Sequence, residues 1–171
     1  MCFDRRKSAK IIAAACVLWL SGLVHASASD ETDSIALVVH PDNQTVLDQQ
    51  QMIQLYLNKI SSFSNGQNAH VLHLPRTSTI HRQFCLELLN LSANQYQSYW
   101  SRMLFTGAAN DLLFVDNSAQ MLKVVRQNKN AVGYLPASEA NGVRIIGYLQ
   151  QGQWRAAENQ NTQKQQNTKL L

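Results

Sequence analysis

Apolar residues come in two kinds of run along this chain. IALVVH at 35–40, HVLHL at 70–74, AVGYL at 131–135 and VRIIGYL at 143–149 are short and rich in β-branched residues, as strands in a buried sheet are. LLFV at 112–115 reads as a further short strand or extended segment. Between these runs, apolar positions recur at helical spacing. Met52, Ile53, Leu55, Tyr56, Leu57 and Ile60 predict a helix from about Leu47, with Asp48 as its N-cap. Ile80, Phe84 and Leu88, with Cys85 and Leu89 beside them, make the stripe of a helix over 79–90. Ser92 caps a third helix reaching about Leu104, with Tyr96, Tyr99, Trp100 and Met103 on one side. Asp116, Asn117 or Ser118 starts a fourth, through Gln127, whose core residues are Met121, Leu122, Val124 and Val125.

Strands alternating with helices predict an α/β fold: an open, mainly parallel sheet flanked by helices. Each proline supports this, because His40-Pro41, Leu74-Pro75 and Leu135-Pro136 all follow apolar strands. Proline lacks the N–H a sheet ladder needs, so it marks a strand's end. In such sheets ligands bind outside the carboxyl ends of the strands.

The ends of the chain follow other rules. Arg5, Arg6, Lys7 and Lys10 precede an apolar run, Ile11 to Leu23, and Ala26-Ser27-Ala28 follows it. This is the pattern of a secretory signal, with cleavage expected after Ala28. Residues 29–149 then form one domain. Beyond Gln150 the chain is rich in Gln and Asn, so 150–171 reads as a disordered tail, with Trp154 able to pack back on the domain.

Composition changes this picture in two ways. The chain has 15 basic and 11 acidic residues, but the leader holds four of the former and one of the latter. The mature chain is therefore nearly neutral, and nucleic acid is not an expected partner. Removal of the leader also takes Cys2 and Cys16, which leaves Cys85 alone in an apolar helical stripe. A core cysteine is expected there, and an internal disulfide is excluded. The localisation expected is periplasmic or secreted, with no stable membrane anchor after cleavage.

One stretch stands out chemically. LPRTSTIHRQF, 74–84, sets Arg76, Thr77, Ser78, Thr79 and Arg82 at one strand-to-helix turn. The first N–H groups of a helix lack intrahelical acceptors, and the helix dipole adds positive potential there. Hydroxyl donors and forked guanidinium groups complete the chemistry of an oxyanion site, with phosphate or sulfate the natural fit. The alternative is that Ser78 or Thr79 merely caps the helix while the arginines face solvent. Other constellations carry less. His70 and His73 lie three apart on a strand and point to opposite faces, a poor metal pair. Ser78 and His81 lack the partner carboxylate and the glycine elbow of a hydrolase, and His81 reads as a surface or cap-region histidine. No catalytic residue, metal site or cofactor is expected. Lys123, Arg126 and Lys129 read as a solvated helix face that complements the dipole at the helix C-terminus.

Residues 35–149 resemble one lobe of the phosphate-binding proteins of ABC transporters, the type II periplasmic binding protein family. The segments that carry the resemblance come in order: IALVVHPDN, LDQQQMIQLYLNKISSFSNGQ, VLHLPRTSTIHRQF, YWSRMLFTG and AQMLKVVRQNKNAVGYLPAS. In the family the turn is of a Gly-Ser-Gly-Thr type, and here it is Arg-Thr-Ser-Thr. The resemblance implies a single-lobe, non-enzymatic binder of phosphate or a related oxyanion. Arg76, Ser78, Thr79 and Arg82 are the implied ligand contacts, and Thr77 a further candidate. A second expectation is a lobe that has lost its ligand and contacts an envelope protein or its own copy.

Overall fold

The structure is a computed structural model and describes residues 34–109 and 112–157. The expected leader, 1–28, and the tail from 158 lie outside the described residues. The described elements alternate much as the pattern predicts. Strand β1 is Ile35–Val39 and helix α1 is Gln49–Tyr56. Strand β2, His70–His73, leads into α2, Thr79–Leu89, and α3, Ala93–Phe105. Strand β3 is Leu113–Phe114, α4 is Ser118–Gln127 and β4 is Ala131–Pro136. Strands β5, Arg144–Gln150, and β6, Gln153–Ala156, close the fold.

The helix starts are chemically specified. Asp48 and Ser92 each form a capping box, reciprocally bonded with Gln51 and Gln95. Ser78 and Asn117 accept backbone N–H groups three residues on. Helix α1 stops at Tyr56, short of the expected Ile60, because Asn58 turns the backbone left-handed at φ 51°. Asn90 ends α2 in the same way.

The six strands form one open sheet in the order β3-β2-β4-β1-β5-β6. Helices cover both of its faces. Gly133 of β4 lies under Met121 and Val125 of α4, while its neighbour Tyr134 stacks on Phe84 of α2, ring centroids 3.7 Å apart. Adjacent strand residues face opposite sides, so α2 and α4 lie on opposite faces. That explains why all of β1 and β4 is buried.

Strand direction corrects the expectation of a mainly parallel sheet. Among the described strands only β2–β3 and β2–β4 pair in parallel. The pairs β1–β4, β1–β5 and β5–β6 are antiparallel. A run buried on both faces satisfies its core in either direction, so its pattern carries no sign. Strands β2, β3, β4 and β5 nevertheless run one way, and Pro75 and Pro136 mark the same edge. Pro41, which follows the reversed β1, lies at the other.

The sheet also continues past Gln150, where a disordered tail is expected to begin. Gln151 and Gly152, both at positive φ, turn β5 into β6, and Trp154 lies over Gly147. The glycine leaves the space that the indole fills. Among the described residues no helix is long and apolar enough to cross a membrane.

Candidate functional site

The polar turn sits where β2 leaves the sheet. Leu74 is buried, and the chain then rises to solvent, with Arg76, Thr77, Thr79 and Arg82 exposed and Ser78 half-buried. A tight turn forms as Ser78 N–H donates to Pro75 O at 2.8 Å. Ser78 then caps α2, its hydroxyl oxygen accepting His81 N–H at 3.4 Å. The first N–H groups of α2, those of Thr79 and Ile80, have no intrahelical acceptor and project at this edge.

Arg82 folds back over the turn. One of its terminal nitrogens donates to Thr77 O at 2.9 Å, the other to Thr79 Oγ1 at 3.0 Å. It therefore braces the loop as well as charging it. Arg76 lies over the Phe114 ring of β3, its guanidinium carbon 5.4 Å from the centroid, a cation–π contact. Among the described residues neither arginine makes a salt bridge. The five predicted residues thus lie together at one turn and the helix start it leads into, with two positive charges and, among the described residues, no carboxylate paired to them.

The floor of this turn was not foreseen. His81, expected at the surface, is buried at 2% exposure. Its Nδ1 lies 2.6 Å from the Tyr134 hydroxyl, and that hydroxyl accepts Leu74 N–H at 3.2 Å. We assign the phenol proton to His81 Nδ1, the tautomer that leaves an N–H for Cys85. The imidazole is then neutral, with Nε2–H toward Cys85 Sγ at 3.6 Å. Burial lowers the His81 pKa to about 4, and the nearby Arg76 and Arg82 charges push the same way. Burial also pushes the Cys85 thiol up to about 12, the inert core cysteine expected.

A second buried histidine adjoins the first. His73 Nε2 lies 2.9 Å from the Tyr96 hydroxyl, which donates to Tyr56 O at 2.8 Å. Trp100 Nε1–H donates to the same carbonyl at 3.2 Å. Burial, helped by His81, lowers the His73 pKa to about 3. His70 is exposed and bonds Asn128, while His73 is buried against Tyr96, so the two histidines have separate partners. Among the described residues no group of three potential ligands converges on a metal position. Of the basic set near α4, Lys129 pairs with Asp42 at 3.1 Å, and Arg126 bonds the Asn141 and Gly142 carbonyls.

The signal for the missed pair was thin. Tyr134 sits inside an apolar strand run, where a hydroxyl needs a partner, and His81 follows its N-cap by three residues. Nothing local joins two residues 53 apart. A cleft of about 290 Å³, lined in part by Leu55, Ile60, Val71, Trp100 and Leu113, opens beside the start of β2, not at the turn. The polar turn itself is an open surface.

Solved structures share the fold over part of their length. A protein of Clostridium perfringens described as a phosphate ABC transporter substrate-binding protein, crystallised with bound phosphate, matches at a TM-score of 0.54 and 22% identity. An ABC-type phosphate transport receptor of Vibrio cholerae matches at 0.53 and 21%. PstS of Borrelia burgdorferi matches at 0.53 and 12%. The described fold matches that of part of these phosphate substrate-binding proteins. The matches cover 66%, 67% and 66% of this chain but only 44%, 46% and 46% of those chains. The chain therefore spans less than half the length of each neighbour. No protein-family model and no curated relative matches the sequence.

Proposed function

We propose that the chain is an exported, non-enzymatic binding module that takes phosphate or a similar oxyanion at the N-terminus of α2. One observation carries this reading: Arg76 and Arg82 stand without ion-pair partners among the described residues, at a turn that also presents first-turn N–H groups and three hydroxyl side chains. Arg76 and Arg82 supply charge, Ser78 and Thr79 supply hydroxyl and backbone donors, and Thr77 lies between them. The fold supports the reading, since proteins that share it are described as phosphate receptors. The leader pattern of residues 1–28 supports a periplasmic or secreted location. Because the turn is open to water, screening keeps affinity modest.

Titration calorimetry with phosphate, sulfate and chloride tests the proposal. Phosphate-specific heat at sub-millimolar ligand is expected, and its absence up to millimolar ligand overturns the reading.

A second reading has an observation of its own. Phe105 at the end of α3 is 93% exposed, with Leu104 partly exposed beside it. A ligand-free lobe that contacts its own copy or an envelope protein would use such a residue. Phe105 is the probe, because Tyr99 is engaged internally through Leu57 O. Light scattering that shows self-association, lost in Phe105→Ser, favours this reading. A monomer at all concentrations removes its self-association form.

A further inference from the structure

The two ends of the polar turn are joined beneath it. At its start, Leu74 N–H donates to the Tyr134 hydroxyl. At its end, His81 Nδ1 lies 2.6 Å from the same hydroxyl. Tyr134 belongs to β4, and its ring is held flat on Phe84 with an interplanar angle of 4°. One phenol oxygen, fixed by a neighbouring strand, therefore sets the distance between the end of β2 and the first turn of α2. Arg76, Thr77, Ser78 and Thr79 all lie between these two anchor points.

We infer that Tyr134 and His81 are positioning residues of the oxyanion site, a clasp that holds the turn in binding geometry without touching the ligand. The inference rests on the oxyanion reading of that turn. Its physical basis is that an oxyanion needs several donors at once within a few tenths of an ångström, and the donors here sit on a short exposed segment. The upper brace, Arg82 to Thr77 and Thr79, is itself part of the site and open to water. The Tyr134–His81 bond is buried, so its geometry does not compete with solvent. The other His81 nitrogen, Nε2, faces Cys85 Sγ, and the ring stacked on Tyr134 is that of Phe84, which carries no polar atom.

The variants separate the clasp from mere packing. Tyr134→Phe keeps the ring on Phe84 but removes both bonds. His81→Leu removes the acceptor alone. His81→Asn keeps an acceptor near the Nδ1 position. By titration with inorganic phosphate, Tyr134→Phe is expected to weaken binding about tenfold and His81→Leu roughly threefold, with His81→Asn close to the unaltered protein. Amide exchange at Leu74, measured against Val38 in the core, is expected to rise about tenfold in Tyr134→Phe. Rescue by Asn is the outcome that a purely structural role would not produce. If Tyr134→Phe does not fold, the Leu and Asn variants at position 81 carry the comparison. Folded variants that bind phosphate as the unaltered protein does would overturn the clasp and leave the oxyanion reading standing. No phosphate-specific heat from the unaltered protein would sink both.

Discussion

Acid should destabilise this fold through its two buried histidines. His73 and His81 are neutral in the folded chain, with pKa values lowered from 6.5 to about 3 and about 4, chiefly by burial. The unfolded chain takes up protons near the ordinary value, so it binds more protons than the native state once the pH drops below 6.5. Stability is therefore full above that value and is lost as the pH falls toward the folded-state values. Between about pH 7 and about pH 5, each histidine costs roughly 2 kcal/mol, or about 4 kcal/mol together. That is a large share of the ~5–15 kcal/mol that holds a typical domain. The window stops above the range where most carboxylates titrate, which isolates the histidine term. With a urea slope of about 2 kcal/mol/M, the unfolding midpoint should fall by about 2 M across it. His81→Asn should halve that shift. The assay is urea unfolding followed by tryptophan fluorescence at both pH values, with imidazole NMR to follow the two rings. A midpoint that does not move, or a His73 ring that titrates near 6.5 in the folded protein, would refute the reasoning.

Three further outcomes are expected. Arg76→Ala should weaken phosphate binding about tenfold and flatten its salt dependence, whereas Arg82→Ala should lose more because the brace on Thr77 and Thr79 goes too; calorimetry at two ionic strengths checks both. Gly147→Ala would place a Cβ 2.5 Å from the Trp154 ring and 2.9 Å from the Arg155 carbonyl oxygen, so it should cost ~1–3 kcal/mol and red-shift Trp154 emission as β6 detaches. Asp48→Ala breaks the capping box of α1 and should cost about 1 kcal/mol in denaturant unfolding, with Asp48→Asn recovering most of it.

What the chain determines by itself is local. Helix starts are legible because a cap acts over three residues: Asp48 and Ser92 cap as expected, and the structure selects Ser78 over Thr79 and Asn117 over Asp116 and Ser118. Cys85 belongs to the core because of its place in an apolar stripe. The turn after Leu74 is marked by proline and by an unusual density of donors, and its five residues do come together because they are neighbours in sequence.

Tertiary structure decided everything that needs a second segment. The direction of β1 depends on which strands flank it, and a continuous apolar run is indifferent to that choice. Strand β6 exists because Gly147 leaves room for Trp154, a match invisible in a tail rich in Gln and Asn. Arg82 stays exposed, but it also reaches back to Thr77 and Thr79 once the turn is formed. The histidines show the limit most clearly. His81 finds its partner 53 residues away and His73 finds Tyr96 23 residues away. A buried polar group must be paired, so the sequence can demand a partner for each; only the packing of β4 and α3 against them says which residue answers.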